Sequence, residues 1–323
     1  MISPHAQPIE HSLQWLGRWL SQAGYRFTAV TPLTHQRVLA RTHDPRSSDL
    51  RDAFGWNRPF PQHLLPTDLT ASLLESHWLK PSPKSMLQSN VRFSSLDGLL
   101  FAHSPFPTVQ EDAVFFGPDT YRFAAFIRNQ LNAQPLKEAA RIVDMGCGAG
   151  PGGLVAARTV RTEPTTCEVV LADINPRALL HAQANAANAN CASARCIQSD
   201  LFANVSGAFD LIVSNPPYLL DDASRTYRHG GGRFGEALSE RIVKESLDRL
   251  APNGRLLLYT GSTIVNGRDA FQEAVTVHAT ERGFTVHYEE IDPDVFGEEL
   301  ERHAYADADR IAAVGMVVQR PGA

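Results

Sequence analysis

The 323-residue chain reads as an α/β fold: a mostly parallel sheet covered by helices on both faces, preceded by a small, mostly helical region and a β-hairpin. Three observations predict this. From residue 141 onward, strand-sized apolar runs alternate with segments of helical period. Residues 25–85 instead hold short helical pieces punctuated by Pro32, Pro45, Pro59, Pro61, Pro66, Pro81 and Pro83. Between these regions, Leu96-Asp97-Gly98 separates two β-type runs, and Asp-Gly is a strong hairpin signal.

In chain order, residues 12–23 place Leu13, Leu16 and Leu20 on one helical face, with Trp15 and Trp19 beside it as core, and Gly24 can end that helix. Residues 68–79 read as a further helical piece. Lys80-Pro-Ser-Pro-Lys84 reads as a linker, so the chain is expected to divide into a helical substrate-recognition domain, 1–80, and a second domain, 86–323. Residues 91–95 and 99–103 form the hairpin. A helix over 119–132 opens at Asp119 or Thr120. There follow a strand at 141–145, a helix at 151–160 and a strand at 168–172. The helix at 176–189 is capped by Asn175 with Pro176 at its first position. Short and long strands follow at 195–198 and 209–214. Helices at 236–250 and 269–282 then alternate with strands at 255–260, 284–290 and 311–319.

Bulk composition sets limits without naming a function. With 43% hydrophobic and 20% charged residues, the chain is globular rather than disordered. A net charge of -5 leaves no global basic field for nucleic acid. Residues 1–140 are mildly basic and 141–323 acidic, so any polyanion would meet the front half. There Arg37, Arg41, Arg46, Arg51 and Arg58 are spread among acids that nearly cancel them. Cys147, Cys167, Cys191 and Cys196 form no C-x-x-C pair, and His43, His63 and His77 have no ligand spacing, so no metal is expected. The apolar runs are strand-sized and the opening MISPHAQPIE lacks an export pattern, so no membrane association and a cytoplasmic location are expected.

Two segments carry chemistry. Ile142-Val143-Asp144-Met145-Gly146-Cys147-Gly148-Ala149-Gly150 is a buried strand entering a glycine turn and then a helix. Backbone there can approach a ligand closely, and the helix start offers free N–H groups. Gly148, Gly150 and Gly153 also satisfy a G-x-G-x-x-G register, so a dinucleotide site stays open at this point. Asp173 ends the next strand, where a ribose-binding acid would sit in either kind of site.

The second segment is a buried strand running into Asn215-Pro216-Pro217-Tyr218. Two prolines fix φ and remove two donors, which leaves a rigid turn rich in acceptors. The Asn215 side-chain oxygen and the Pro216 carbonyl can each accept an N–H from one planar NH₂ group, and Tyr218 can stack on its face. Such a grip aims the nitrogen lone pair at an electrophile and stabilises positive charge as it develops. No Ser–His–Asp or Cys–His set is recognisable, and Cys147 needs no nucleophilic role.

Taken together, Asp144-x-Gly146-x-Gly148-x-Gly150, Asp173, Ser199-Asp200-Leu201-Phe202 and Asn215-Pro-Pro-Tyr218 resemble the class I S-adenosylmethionine-dependent methyltransferases. More narrowly, they resemble the amino-methylating group with the small-methyltransferase domain, over about residues 110–323. The resemblance implies a Rossmann-like, seven-stranded sheet with a reversed last hairpin. It implies S-adenosyl-L-methionine as cofactor, with Asp144 and the Gly146-Cys147-Gly148-Ala149-Gly150 turn cradling its methionine part. Asp173, with Ile174 beside it, would bind the ribose hydroxyls. Asp200 would hydrogen-bond the adenine amine, and Leu201 or Phe202 would line the adenine. Asn215, Pro216, Pro217 and Tyr218 would be the catalytic set, with Asn215 also next to the cofactor.

The Tyr form of the turn is similar to two subfamilies: HemK-type glutamine methyltransferases acting on peptide-release factors, and N6-adenine methyltransferases of RNA or DNA. A leading helical domain and Phe116-Gly-Pro-Asp-Thr120, which resembles the HemK-type Arg-Pro-Asp-Thr segment without its Arg, favour a protein glutamine, on a translation factor or another protein. Tyr227-Arg-His-Gly-Gly-Gly-Arg-Phe-Gly235 is expected to form a mobile loop beside the substrate opening. Two readings from other classes are a nicotinamide-dependent oxidoreductase, which leaves the Asn-Pro-Pro-Tyr turn unexplained, and a catalytically silent binding module.

Overall fold

The computed structural model describes residues 9–41, 44, 48–160, 167–191, 193–221 and 225–322. The front region holds helices α1 (Ile9–Gln22), α2 (Pro32–Leu39), α3 (Leu50–Phe54) and α4 (Thr67–Glu75), with short strands β1 (Phe60–Pro61), β2 (Leu79–Ser82) and β3 (Met86–Ser89). Leu13, Leu16 and Leu20 of α1 are fully buried, as their spacing predicts, against Phe54, Phe60, Leu69 and Leu73. Trp15 and Trp19 pack half-buried on the same cluster.

The expected linker is a correction. Lys80–Lys84 is not a tether but the arm and turn of a hairpin, in which Leu79 pairs with Ser89 and Ser82 with Met86. Lys84 and Ser85 take left-handed φ values of 61° and 56°, so they reverse the chain tightly. Pro81 is accommodated because β2 lies at the edge of its three-stranded sheet. For the same reason α4 stops at Glu75, short of the expected residue 79: Leu79 is needed in β2. Arg46 and His43 lie outside the described residues.

Strands β4 (Arg92–Leu96) and β5 (Leu99–His103) form the predicted hairpin, with Leu96 paired to Leu99 and Asp97-Gly98 both at positive φ. The front core continues into it: Val91, Phe93 and Ala102 join the α1 cluster. Next come α5 (Pro118–Ala133), β6 (Arg141–Met145), α6 (Pro151–Thr159), β7 (Glu168–Asp173), α7 (Pro176–Asn188), β8 (Ala194–Gln198) and β9 (Phe209–Ser214). The chain ends with α8 (Ala237–Leu247), β10 (Leu250–Val265), β11 (Arg268–Asp269), α9 (Ala270–Glu281), β12 (Thr285–Asp292) and β13 (Arg310–Gln319). Helix α5 opens one residue earlier than expected, at Pro118 with Gly117 as its cap; the Thr120 hydroxyl instead accepts the Gly117 N–H.

The main sheet runs in the order β12-β13-β10-β9-β6-β7-β8, with β11 added to β10. Strands β6 to β10 are parallel along this path, and β13 is antiparallel to both β10 and β12. This is the expected seven-stranded sheet with a reversed last hairpin. Alternate residues of the central strands feed two cores, as a sheet covered on both faces requires. Ile142, Leu171 and Val213 pack with Phe123, Leu154 and Ala182 of α5, α6 and α7. Val143, Val170 and Ile212 pack with Ile242, Val243 and Val275 of α8 and α9. The strand order reverses between β6 and β9, so a crevice opens at their C-terminal ends.

Candidate active site

A cavity of about 310 Å³ occupies that crevice. The glycine turn after β6 is its floor. Gly146 and Gly148 take positive φ values of 68° and 53°, and a Cβ added to either would meet nothing within 4 Å. They therefore present bare backbone to open space. The turn is pinned from behind: the Gly148 N–H donates to Asp173 Oδ2 (2.8 Å), Cys147 N–H to the Ala172 carbonyl (2.9 Å) and Gly153 N–H to Asp144 Oδ2 (2.8 Å). Gly153, the last glycine of the G-x-G-x-x-G register, thus serves helix-to-strand packing, since a Cβ there would lie 2.7 Å from Leu171.

Two of the acids lining the crevice, Asp144 and Asp173, are buried. Burial pushes the Asp144 carboxyl up to about 7, against the pull of the Gly153 and Gly152 N–H groups and with Asp173 adding to the rise. Burial also raises Asp173, whose Oδ1 accepts the Asn175 N–H at 2.8 Å. Asn175 caps α7 with its own side-chain oxygen, as its place before Pro176 predicts. The Cys147 thiol is pushed well up by burial and is not a nucleophile.

Of the expected cofactor residues, Asp144, Gly146, Cys147, Gly148, Asp173, Ile174, Asp200, Leu201 and Asn215 line this cavity. Two do not. Gly150 caps α6 at φ 83°, with Leu171 and Leu154 around it. Phe202 points the other way, into the α8–α9 core beside Phe209. Leu201, at φ 45°, belongs to the same core but also reaches the cavity wall. Asp200 reaches the cavity wall while also bonding Arg241 at 2.9 Å.

A second cavity, about 350 Å³, adjoins the first, and Asn215, Pro216 and Pro217 line both. The turn leaves the sheet where the Ser214 hydroxyl donates to the Met145 carbonyl (2.7 Å), which ties the ends of β9 and β6. The Asn215 side chain makes no hydrogen bond among the described residues, although it is only half exposed. Tyr218 lines the second cavity alone of the two. Its ring fits against Gly261, where a Cβ would come within 2.3 Å, and its edge meets Phe296 at 5.9 Å. Burial and the adjacent Asp119 carboxylate hold its hydroxyl well above the usual range.

Several lining residues carry little sequence signal. Asp119 accepts the Tyr259 hydroxyl at 2.8 Å and pairs with Arg122 at 3.2 Å. In the sequence it was marked only by its place at a helix start and within the Pro-Asp-Thr segment, not as a site residue. Phe115 and Tyr227 border both cavities with parallel rings 6.0 Å apart. Phe296 holds a left-handed φ of 57°. The glycine-rich loop packs tightly on the turn: a Cβ on Gly230 would lie 1.9 Å from the Gly235 carbonyl and 2.6 Å from that of Pro217. Arg228 pairs with Glu299, and Arg122 also with Asp292 at 2.8 Å. Among the described residues no group of three or more His, Cys, Asp or Glu is placed to hold a metal, and no helix is long and apolar enough to cross a membrane.

Comparison with known proteins bears on this geometry. The chain is 33% identical over 174 residues to the release factor glutamine methyltransferase of Shewanella oneidensis, a match covering 50% of this chain and 54% of that one. It is 37% identical over 123 residues to the ribosomal RNA small subunit methyltransferase C of Pasteurella multocida, covering 38% and 32%. The chain thus spans from a third to about half of the length of these relatives. The crystal structure of the putative transferase PH0793 from Pyrococcus horikoshii superposes with a TM-score of 0.50 at 11% identity, over 79% of this chain and 83% of that one, and so shares the fold. Residues 124–288, just over half of the sequence and including the glycine turn and Asn215-Pro-Pro-Tyr218, match the methyltransferase small domain, and the chain belongs to that family.

Proposed function

We propose that the protein is an S-adenosylmethionine-dependent N-methyltransferase whose acceptor is a planar amide nitrogen, that of a protein glutamine side chain. One observation carries the reading: Asn215, Pro216 and Pro217 line both of two adjoining cavities. A nitrogen gripped by the turn from the second cavity faces a donor held in the first.

The bare backbone at Gly146 and Gly148, the buried Asp173 and the apolar Ile174 and Leu201 fit a nucleoside with a charged tail. When bound, S-adenosylmethionine would supply an activated methyl group on a sulfonium. Asp173 would take the ribose hydroxyls with its remaining lone pairs, and Asp200 the adenine amine. The unpartnered Asn215 oxygen and the Pro216 carbonyl would accept both N–H bonds of the acceptor, turning its lone pair toward the first cavity. The same oxygens stabilise charge appearing on that nitrogen. Tyr218, Phe296, Phe115 and Tyr227 give the planar group apolar walls and keep water out.

A protein acceptor is favoured over nucleic acid by the arginines. Arg122 and Arg228 line the second cavity, and both are already engaged by carboxylates, so neither stands ready for a phosphate. Thr31 and Pro32 reach the same cavity from the front region, which supports substrate recognition by residues 1–80 beside a methyltransferase domain at 86–323. A translation factor in the cytoplasm is the partner this reading anticipates.

The test is incubation with tritiated S-adenosylmethionine in an extract lacking the endogenous enzyme. The label is expected in protease-sensitive, nuclease-resistant material. Nuclease-sensitive label would replace the glutamine reading with an RNA or DNA base amine, and a titration preferring NAD would sink the methyltransferase reading altogether. Asn215→Ala is expected to lower transfer by about a hundredfold while the cofactor Kd, measured by calorimetry, stays within about twofold of the parent.

A further inference from the structure

Helix α7 carries a buried amide that joins the glycine turn to the β4–β5 hairpin, neither of them its neighbour in sequence. Asn185 is 1% exposed. Its Oδ1 accepts the Ala102 N–H at 2.8 Å, and its Nδ2 donates to the Ala102 carbonyl at 3.1 Å and to the Ala149 carbonyl at 2.9 Å. Both amide protons and one oxygen lone pair are thus used, and only a carboxamide offers donors and an acceptor in that arrangement.

The two partners are the floor and the root of the cover. Ala149 lies in the glycine turn between Gly148 and Gly150, both at positive φ. Such residues impose little conformational preference of their own, so the turn's shape depends on its ties. The Ala149–Gly150 peptide is held on its carbonyl side by Asn185 and on its N–H side by the Cys147 carbonyl at 2.7 Å. Ala102 lies in β5, outside the main sheet. The chain after β5 runs over the cavity, where Ala113, Val114 and Phe115 line it. That segment is closed on itself by Ser104 N–H to the Val114 carbonyl (3.1 Å) and Val114 N–H to Ser104 Oγ (2.8 Å). Other ties hold its far side to α7, among them Asn175 Nδ2 to the Asp112 carbonyl at 2.8 Å.

We infer that Asn185 is a positioning residue for the cofactor: it sets the glycine turn and the hairpin-borne cover at one fixed separation, and thereby sets cofactor affinity without touching the ligand. The inference rests on the reading of the first cavity as an S-adenosylmethionine site. A purely structural asparagine would affect melting temperature and leave affinity alone, so affinity is the deciding measurement.

The experiment measures the Kd of S-adenosylmethionine by calorimetry, well below each protein's melting temperature, for the parent, Asn185→Ala, Asn185→Asp and the core control Leu247→Ala. Asn185→Ala is expected to weaken binding at least about tenfold, while Leu247→Ala lowers the melting temperature with the Kd within about twofold of the parent. Asn185→Asp keeps the acceptor but puts lone pairs where the donors were. Its binding is expected to fall similarly and to recover partly at acid pH, where a carboxyl proton restores one donor. An Asn185→Ala protein that melts early yet binds as the parent does would overturn the inference. Failure of the parent itself to bind would instead overturn the cofactor reading. Hydrogen exchange on the parent keeps the test decisive if the Asn185 variants do not fold. Added cofactor is expected to slow exchange at Ala102 as well as in the glycine turn, and protection confined to the turn would count against the coupling.

Discussion

Asp144 shows how one buried side chain can make stability depend on pH in an unusual direction. Its carboxyl is pushed up to about 7 by burial, from an ordinary value of 3.8. Between those values the folded chain keeps a proton that the unfolded chain has lost. The contribution of this group to stability therefore falls as pH rises from about 4 to about 7 and is level above. Asn in its place mimics the protonated form and can still accept the Gly153 N–H. The Asp144→Asn protein is expected to gain on the parent in thermal melts as pH rises, with a clearly larger advantage at pH 8 than at pH 5. An equal offset at both pH values would show that the carboxyl is not raised. Asn215 behaves differently at the same scale: its value lies in the hydrogen bonds it leaves unmade, so its loss is expected to appear in transfer and not in folding.

Among the elements, the turn after β9 and the glycine-rich loop act as one unit. Gly230 and Gly235 are glycines because backbone meets backbone there: a Cβ on Gly235 would lie 2.3 Å from the Tyr218 carbonyl. Carbonyls cannot swing aside as side chains do, so overpacking at this contact displaces the Asn215-Pro-Pro-Tyr218 turn itself, at a cost of about 1–3 kcal/mol. Gly230→Ala is expected to lower the melting temperature by several degrees and to reduce methyl transfer. Gly297→Ala, where a Cβ meets nothing within 4 Å, serves as the neutral comparison. Melts and transfer rates that leave Gly230→Ala indistinguishable from Gly297→Ala would show that the loop does not brace the turn. The connection between β12 and β13 reaches the same place from the far end of the chain, through Phe296 against Tyr218 and Glu299 against Arg228.

Across the whole molecule, the front region and the catalytic sheet share apolar surface. The cluster around Leu13, Leu16 and Leu20 takes in Phe93 and Ala102 of the hairpin and Ala184 of α7. Gly17 of α1 approaches Asn188 of α7 so closely that a Cβ would lie 2.0 Å from its amide. A chain beginning at residue 86 is therefore expected to expose this face, bind a hydrophobic dye and melt below the full chain, which should itself unfold in one calorimetric transition. Two well-separated transitions in the full chain would argue for independent domains.

Much of this was readable from residues alone, for a common reason. Parallel strands buried on both faces are continuous apolar runs, and Asp97-Gly98, Asn175-Pro176, the glycine turn and Asn215-Pro-Pro-Tyr218 each shape backbone through neighbours in sequence. Order along the chain then placed the turns at the ends of β6 and β9, and hence at one crevice. What local pattern could not reach were pairings over long separations. Prolines at 81 and 83 look like a tether unless Met86–Ser89 is seen to pair back on them. Leu201 and Phe202 are equal candidates until the fold shows that both join one core and that Leu201 also borders the cavity. Asp119 finds Tyr259 across 140 residues, and Asn185 finds Ala102 across 83. The sequence by itself determined the elements, their order and the chemistry of the two turns, because those depend on φ preferences and periodic burial. Only the tertiary structure decided which acids are paired, which aromatic rings wall the second cavity and what ties down the glycine turn, because those depend on which distant side chains share one desolvated space.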